Sequence, residues 1–376
     1  MANSGRIGIL TFHYSTNFGG VLQSYALHKT LECLGIPNDV IDYVPSTYLG
    51  HRFHRNIGLK DGLDLRRLFR LMTLKRKYCG KAVRKFDAFR TQYMKLSERI
   101  NESTLVSVLN RYSSVIVGSD QIWNPGQRNR PDYFLGFNEF RGMRISYAAD
   151  STTAEVSTEH LPKLTRELER FDHISVRNEH SQRFVETITG RKPPVVVDPT
   201  LLWDFDELSS GFMSDSEPYV AVYVLGKDIQ GSNLEAVNSI KRAYGDLKVY
   251  AIVIPTMKFN LCDYADRVFY DLGPEEWLDM IRNATFVFTD SFHGTLFSLK
   301  FHRPFLAYYA EDMRATRFID LEKRYQIERY LVTSVDEIDT KGSLLEEPDY
   351  KVIDRAIREH VDFSIKFLKE ALVMDS

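Results

Sequence analysis

Four short runs concentrate the side chains able to do chemistry. In Thr289-Asp-Ser-Phe-His-Gly-Thr295 the apolar stretch Phe286–Phe288 ends in Asp290 and Ser291, and His293, Gly294 and Thr295 open a helix carrying Leu296, Phe297 and Leu299. A histidine at a helix N-terminus loses its proton more readily unless an anion sits beside it. The run therefore reads as a proton donor beside an anion, or as a structural histidine on a turn. Gly294 would let a ligand approach the backbone. In Val115-Ile-Val-Gly-Ser-Asp-Gln-Ile-Trp-Asn-Pro125 a β-branched strand runs into Ser119, Asp120, Gln121, Trp123 and Asn124. Asp120 could take a proton from a hydroxyl and Trp123 could stack on a sugar ring, or both could merely fix the loop. Thr11–Gly20 holds Asn17, Gly19 and Gly20 at a strand-to-helix turn, where free N–H groups favour an anion and where a tight turn needs glycine anyway. Arg177 follows the apolar run Ile174–Val176. Pointed into a cleft it would clamp a carboxylate or phosphate with two prongs; pointed outward it makes a surface ion pair.

All four runs lie at the ends of apolar segments, so the elements that carry them follow directly. Strand-like runs cover 6–12, 40–44, 115–118, 145–149, 174–176 and 195–198, then, after a loop near 209–217, 219–225, 248–254, 268–270, 285–289 and 304–308. Helical spacing lies between them: Leu22, Leu27 and Leu31 before the stop at Gly35 and Pro37; Leu161, Leu164, Leu168 and Phe171; 232–244; 274–283, which opens on Pro274, Glu275 and Glu276; and a long C-terminal helix over 349–373. Strands alternating with helices imply parallel sheets with crossovers. Two such series in 376 residues imply two Rossmann-like domains facing across a cleft, with chemistry at strand carboxyl ends. The expected division is an N-terminal domain over 1–208 with a basic helical insert at 51–95, a C-terminal domain over 209–345, and a helix over 346–376 that packs back on the first domain.

Composition excludes several classes. Hydrophobic residues at 43% and charged residues at 27% rule out disorder and coiled coil, and 49 Lys+Arg against 51 Asp+Glu argue against a nucleic-acid binder. Three distant cysteines make neither a disulfide framework nor a metal site, and no apolar run is long enough to span a bilayer. The expectation is a protein of a reducing, cytoplasmic compartment. The charge is uneven, however: residues 51–90 hold 13 Lys/Arg and 3 Asp/Glu. There Leu65, Leu68, Phe69 and Met72 recur at helical spacing with Arg66, Arg67, Arg70 and Thr73 between them. Such a helix packs on its own domain, lies on anionic lipid headgroups at the inner membrane face, or holds nucleic acid, for which the segment has few aromatics to stack on bases.

The runs TFHYSTNFGGVLQSYAL, VIVGSDQIWNP, ISYAA, HISVRNEHSQRF, VVDPTLLW and FTDSFHGTLFSLKFHRPF occur in the order seen in polysaccharide pyruvyl transferases, and the chain resembles that family from residue 6 to about 310. The resemblance implies a glycosyltransferase-B-like pair of domains. It also implies transfer of a carboxyethylidene group from phosphoenolpyruvate to two hydroxyls of a free or lipid-linked saccharide, with no cofactor or metal. In that picture His293 is the acid and Asp120 the base. The donor meets Arg177, Ser291, His293, Gly294 and Thr295, and the acceptor meets Asn17, Gly19, Gly20, Ser119, Gln121, Trp123 and Asn124. Two positions depart from the family pattern: Ser291 stands where an arginine is expected, and Asp150 where a small neutral residue is. The missing charge must come from Arg303, Arg314 or Arg317. A nucleotide-sugar glycosyltransferase on the same fold and a non-catalytic saccharide- or anion-binding protein are the alternatives.

Overall fold

Short β-branched and aromatic runs alternating with helices are joined in parallel, because each crossover helix returns the chain to the same end of the sheet. The computed structural model describes residues 5–49, 65–124, 131–254, 256–257, 261–310, 312–344 and 346–373. β1 (Ile7–Leu10), β2 (Asn38–Val40), β3 (Ser114–Val117), β4 (Met143–Ala149) and β5 (His173–Val176) form a five-stranded sheet in the order β2-β1-β3-β4-β5. β6 (Tyr219–Tyr223), β7 (Lys248–Ile252), β8 (Arg267–Phe269), β9 (Phe286–Thr289), β10 (Phe305–Tyr308) and β11 (Leu331–Val332) form a six-stranded sheet in the order β11-β10-β9-β6-β7-β8. Every pairing between these strands is parallel. β1, β3, β6 and β9 are buried along their whole length, as parallel strands covered on both faces must be. The run 195–198 is not the expected strand. Val195 makes a single bridge to Val176, and the Val197 N–H goes to the Ser364 hydroxyl at 3.0 Å instead of to a neighbouring strand.

The strand orders fix where a ligand can sit. The order of the first sheet reverses between β1 and β3, and that of the second between β6 and β9. Helices leave to opposite faces at such reversals and open a crevice beyond the strand carboxyl ends. The two crevices face one another.

Aromatic side chains join the halves. Phe18, at the start of the 18–33 helix, stacks on Trp277 of the second half at 5.2 Å between ring centres and packs against Phe86 at 5.1 Å. One buried cluster runs from Ile9, Tyr25 and Ile145 through to Tyr223, Trp277 and Phe297. The 350–373 helix touches both halves: Ser364 accepts from the Val197 N–H at 3.0 Å, and Asp354 pairs with His302 at 2.9 Å.

The basic segment forms a helix over Leu65–Tyr93; residues 51–64 lie outside the described residues. Its inward face differs from the expected stripe. Leu71, Leu74 and Tyr78 pack on the second half, and Phe86 and Phe89 enter the shared core, whereas Phe69 and Met72 face solvent. The side chains of Leu65 and Leu68 are outside the described part. At the far end Arg90, nearly fully buried, donates to the carbonyls of His13 and Ser15 at 3.2 and 3.1 Å.

Candidate functional site

A cavity of about 480 Å³ occupies the space between the two crevices, a volume typical of small-molecule sites. Asn17, Asp120, Gln121 and Asn124 line it from the first half, and Ser291 and His293 from the second. Of the three arginines that could replace the missing charge, Arg317 lines the cavity. Arg303 donates to the Phe301 carbonyl at 2.9 Å, away from it, and the side chain of Arg314 is outside the described part.

Helix capping sets the walls. Asn17 has extended backbone and accepts the Gly20 N–H on its side chain at 3.1 Å, capping the 18–33 helix. Ser291 does the same for the 292–300 helix, accepting from Gly294 at 3.2 Å. These N-terminal donors are thus partly satisfied by the chain itself. Asp120 sits just past β3 with φ 65°, in the left-handed region that a short polar side chain tolerates better than most. The Asp150 N–H fixes it by donating to its carbonyl at 3.0 Å.

Beneath the cavity lies a buried charge network. His293 Nε2 is 3.5 Å from Asp198, long for a hydrogen bond. Arg177, fully enclosed, pairs with Asp198 at 2.9 Å, binds Asp150, and stands 3.6 Å from Asp120. Its guanidinium lies over the Phe292 ring at 4.5 Å. Burial alone would raise the Asp150 carboxyl, but Arg177 and Arg317 together with the Thr152 N–H outweigh it and hold the group down to about 2. Burial likewise opposes ionisation of Asp198, yet His293 and Arg177 keep it well below the usual carboxylate range. Asp290 accepts the N–H groups of Leu225 and Gly226 at 2.6 and 2.7 Å.

Several expected contacts are corrected by this geometry. Trp123 cannot stack on a sugar: it is fully buried, parallel to Phe134, with its indole N–H donating to the Tyr133 carbonyl at 3.1 Å. Ser119 is also enclosed, its hydroxyl donating to the Ala148 carbonyl at 2.9 Å. Arg177 lies under the site rather than in it, because three carboxylates claim its guanidinium. Gly294 is small for packing: a Cβ there would stand 2.4 Å from Thr289 Oγ1. The Thr295 hydroxyl turns back to the Ser291 carbonyl at 3.1 Å. Gly19 and Gly20 are buried, and the space a Gly19 side chain would fill is taken by the His293 ring.

Asp198 and the roles of Asp150 and Asp290 are not anticipated from the sequence. All three sit at or just past the end of an apolar run (ISYAA, VVV and FVFT), so an acid at a strand's carboxyl end was the available signal. Their shared partners come from distant parts of the chain, which local pattern does not reveal.

Two parallel α/β units with a cavity between their switch points define a glycosyltransferase-B-type architecture. Solved structures agree on the fold. The Anabaena protein HepE, determined with UDP and glucose, is 11% identical with a TM-score of 0.56, covering 98% of this chain and 99% of its own. Staphylococcus aureus MnaA, determined with UDP, is 12% identical with a TM-score of 0.51, covering 98% and 97%. UDP-GlcNAc 2-epimerase from Neisseria meningitidis, bound to UDP-GlcNAc, is 10% identical with a TM-score of 0.51, covering 98% and 100%. A family model for polysaccharide pyruvyl transferase matches residues 17–312, and the chain belongs to that family. No curated protein sequence matches it.

Proposed function

We propose that this chain transfers the carboxyethylidene group of phosphoenolpyruvate to two hydroxyls of a saccharide during assembly of a surface or capsular polysaccharide. The observation that carries the reading is the shared cavity into which Asp120 projects from one half, and His293 and Arg317 from the other. Phosphoenolpyruvate is a compact polyanion, and Arg317 supplies the fixed cation that Ser291 does not. His293 protonates the methylene carbon, leaving an oxocarbenium-like centre at the adjacent carbon. A sugar hydroxyl attacks that centre as Asp120 takes its proton. The bond to the phosphate oxygen then breaks, inorganic phosphate leaves, and a second hydroxyl closes the ketal. In the balance one hydroxyl proton replaces the one given to the methyl group and the other departs with phosphate. Asp198 stands 3.5 Å from His293 Nε2 and offers the ring a counter-charge.

A nucleotide-sugar glycosyltransferase fits less well. A diphosphate at this kind of switch point is cradled by backbone N–H groups after the first strand of the domain. Here the N–H groups of Leu225 and Gly226 are held by Asp290.

The test is incubation with phosphoenolpyruvate and a panel of saccharides, reading phosphate release and the mass gain of a pyruvate ketal. His293→Ala and Asp120→Asn should abolish both signals, and Arg317→Ala should raise KM for the donor about tenfold or more. Turnover of a nucleotide sugar instead, or saccharide binding without phosphate release, would overturn the assignment.

A further inference from the structure

We propose that the outer face of the 65–93 helix is a docking surface for an anionic lipid bilayer, with Phe69 and Met72 as the inserting side chains. Phe69 is 73% exposed and Met72 55%, and they stand three residues apart on one helix. Among the described residues the other exposed large hydrophobics, Leu234, Ile319 and Phe363, stand singly on separate elements, where isolated exposure is ordinary. Charge identifies the occupant. Residues 65–86 contain nine Lys/Arg and no Asp/Glu. Arg76, Lys77, Lys81 and Arg84 are on the solvent side or its margin, while Arg70 and Lys85 are engaged by Asp263 and Glu276 of the second half. The inward face is already used by Leu71, Leu74 and Tyr78, so the helix is anchored and its basic side is fixed outward. A basic face with apolar side chains at its margin matches a headgroup layer over acyl chains. A nucleic acid would use the charges but would leave Met72 without a role. No helix among the described residues is long and apolar enough to cross a membrane, so contact through this face is peripheral.

The experiment uses the full chain without substrate, so its result is independent of the proposed reaction. Flotation with vesicles of phosphatidylcholine alone or mixed with phosphatidylglycerol should show binding only to the anionic mixture at low salt. Binding should fall steeply toward ~0.5 M salt. Each basic residue near such a surface contributes roughly fivefold, so Arg76→Glu/Lys77→Glu/Lys81→Glu should lower affinity by about a hundredfold or more. Phe69→Ser/Met72→Ser should lower it about tenfold or more with an unchanged melting temperature. The indole of a Phe69→Trp variant should show a blue-shifted emission when anionic vesicles are added. No flotation at low salt, equal flotation of the double serine variant, an unshifted emission from the Phe69→Trp variant, or binding of single-stranded DNA in preference to vesicles would each overturn the proposal.

Discussion

Gly19→Ala tests most directly how the two halves share the site. A Cβ at Gly19 would lie 2.0 Å from His293 Nδ1, 2.2 Å from its Cγ and 2.6 Å from its Cε1. Ordinary contact begins near 3.4 Å, so the ring must retreat by about 1.4 Å. The helix cannot give way instead, because Asn17 caps it and Phe18 is stacked on Trp277. Overpacking of this kind costs roughly 1–3 kcal/mol, and alanine in a helix returns up to ~1 kcal/mol. The net loss of stability is small, a few degrees in Tm at most for a chain of this length. Catalysis should suffer far more, since a displacement of about 1 Å in a reacting group can cost roughly a hundredfold. The assay is phosphate release from phosphoenolpyruvate beside a thermal melt. The sign reverses when the ring is removed: in a His293→Ala background, Gly19→Ala should be neutral or stabilising. Gly20→Ala is the control, because its Cβ would crowd only the movable Ser15 hydroxyl at 2.8 Å and would meet Asp120 Oδ2 and the Phe12 carbonyl at an ordinary 3.7 Å. Wild-type turnover by Gly19→Ala, or equal destabilisation in both backgrounds, would refute the reasoning.

Arg177→Met should cost about 3–5 kcal/mol, because it leaves buried carboxylates unpaired. Arg177→Lys should recover part of that, since a point charge serves one carboxylate where the guanidinium serves two; chemical denaturation measures both. A stable Arg177→Lys variant with only a weaker donor KM would contradict the buried role. The depressed carboxylates give a pH dependence of definite sign. Asp150 and Asp198 ionise in the fold below the pH at which they ionise in the unfolded chain, so their contribution is complete above about pH 4. It is lost as pH falls through the folded values, about 2 for Asp150. The Asp150 share is about 2 kcal/mol, so the stability gap between wild type and Asp150→Asn in urea melts should narrow from about pH 6 to about pH 3. A constant gap would argue against ionic pairing.

Local pattern made most of the elements legible. Short apolar runs ending in polar clusters marked the strands, and the rule that ligands meet strand carboxyl ends led to Asp120 and His293. It misled where one residue type serves two purposes. Trp123 carries an indole as suited to a core as to a sugar, and only the closeness of Phe134 decides between them. Arg177 reads as a ligand clamp because its partners Asp150, just past β4, and Asp198, at the end of the 195–198 run, lie 27 and 21 residues away in sequence. Gly294 reads from the sequence as an opening for a ligand and Gly19 as part of an anion-binding or merely tight turn, whereas they accommodate Thr289 and His293. On the 65–93 helix the period is right, but the face that packs inward is Leu71, Leu74 and Tyr78 rather than Phe69 and Met72, because those three match a surface on a different part of the chain.

The stacking of Phe18 on Trp277 bears on how such a protein can be re-engineered. Enzymes whose lobes meet across a wet hinge can exchange one lobe for a relative's and inherit its substrate. Here the interface has a buried aromatic core, and a cut near residue 208 would expose Phe18 and Phe86 on one fragment and Tyr223 and Trp277 on the other. Exposed aromatic faces of that kind favour aggregation over reassembly. New acceptor specificity therefore has to be grafted loop by loop around the cavity, with the two halves inherited as one piece.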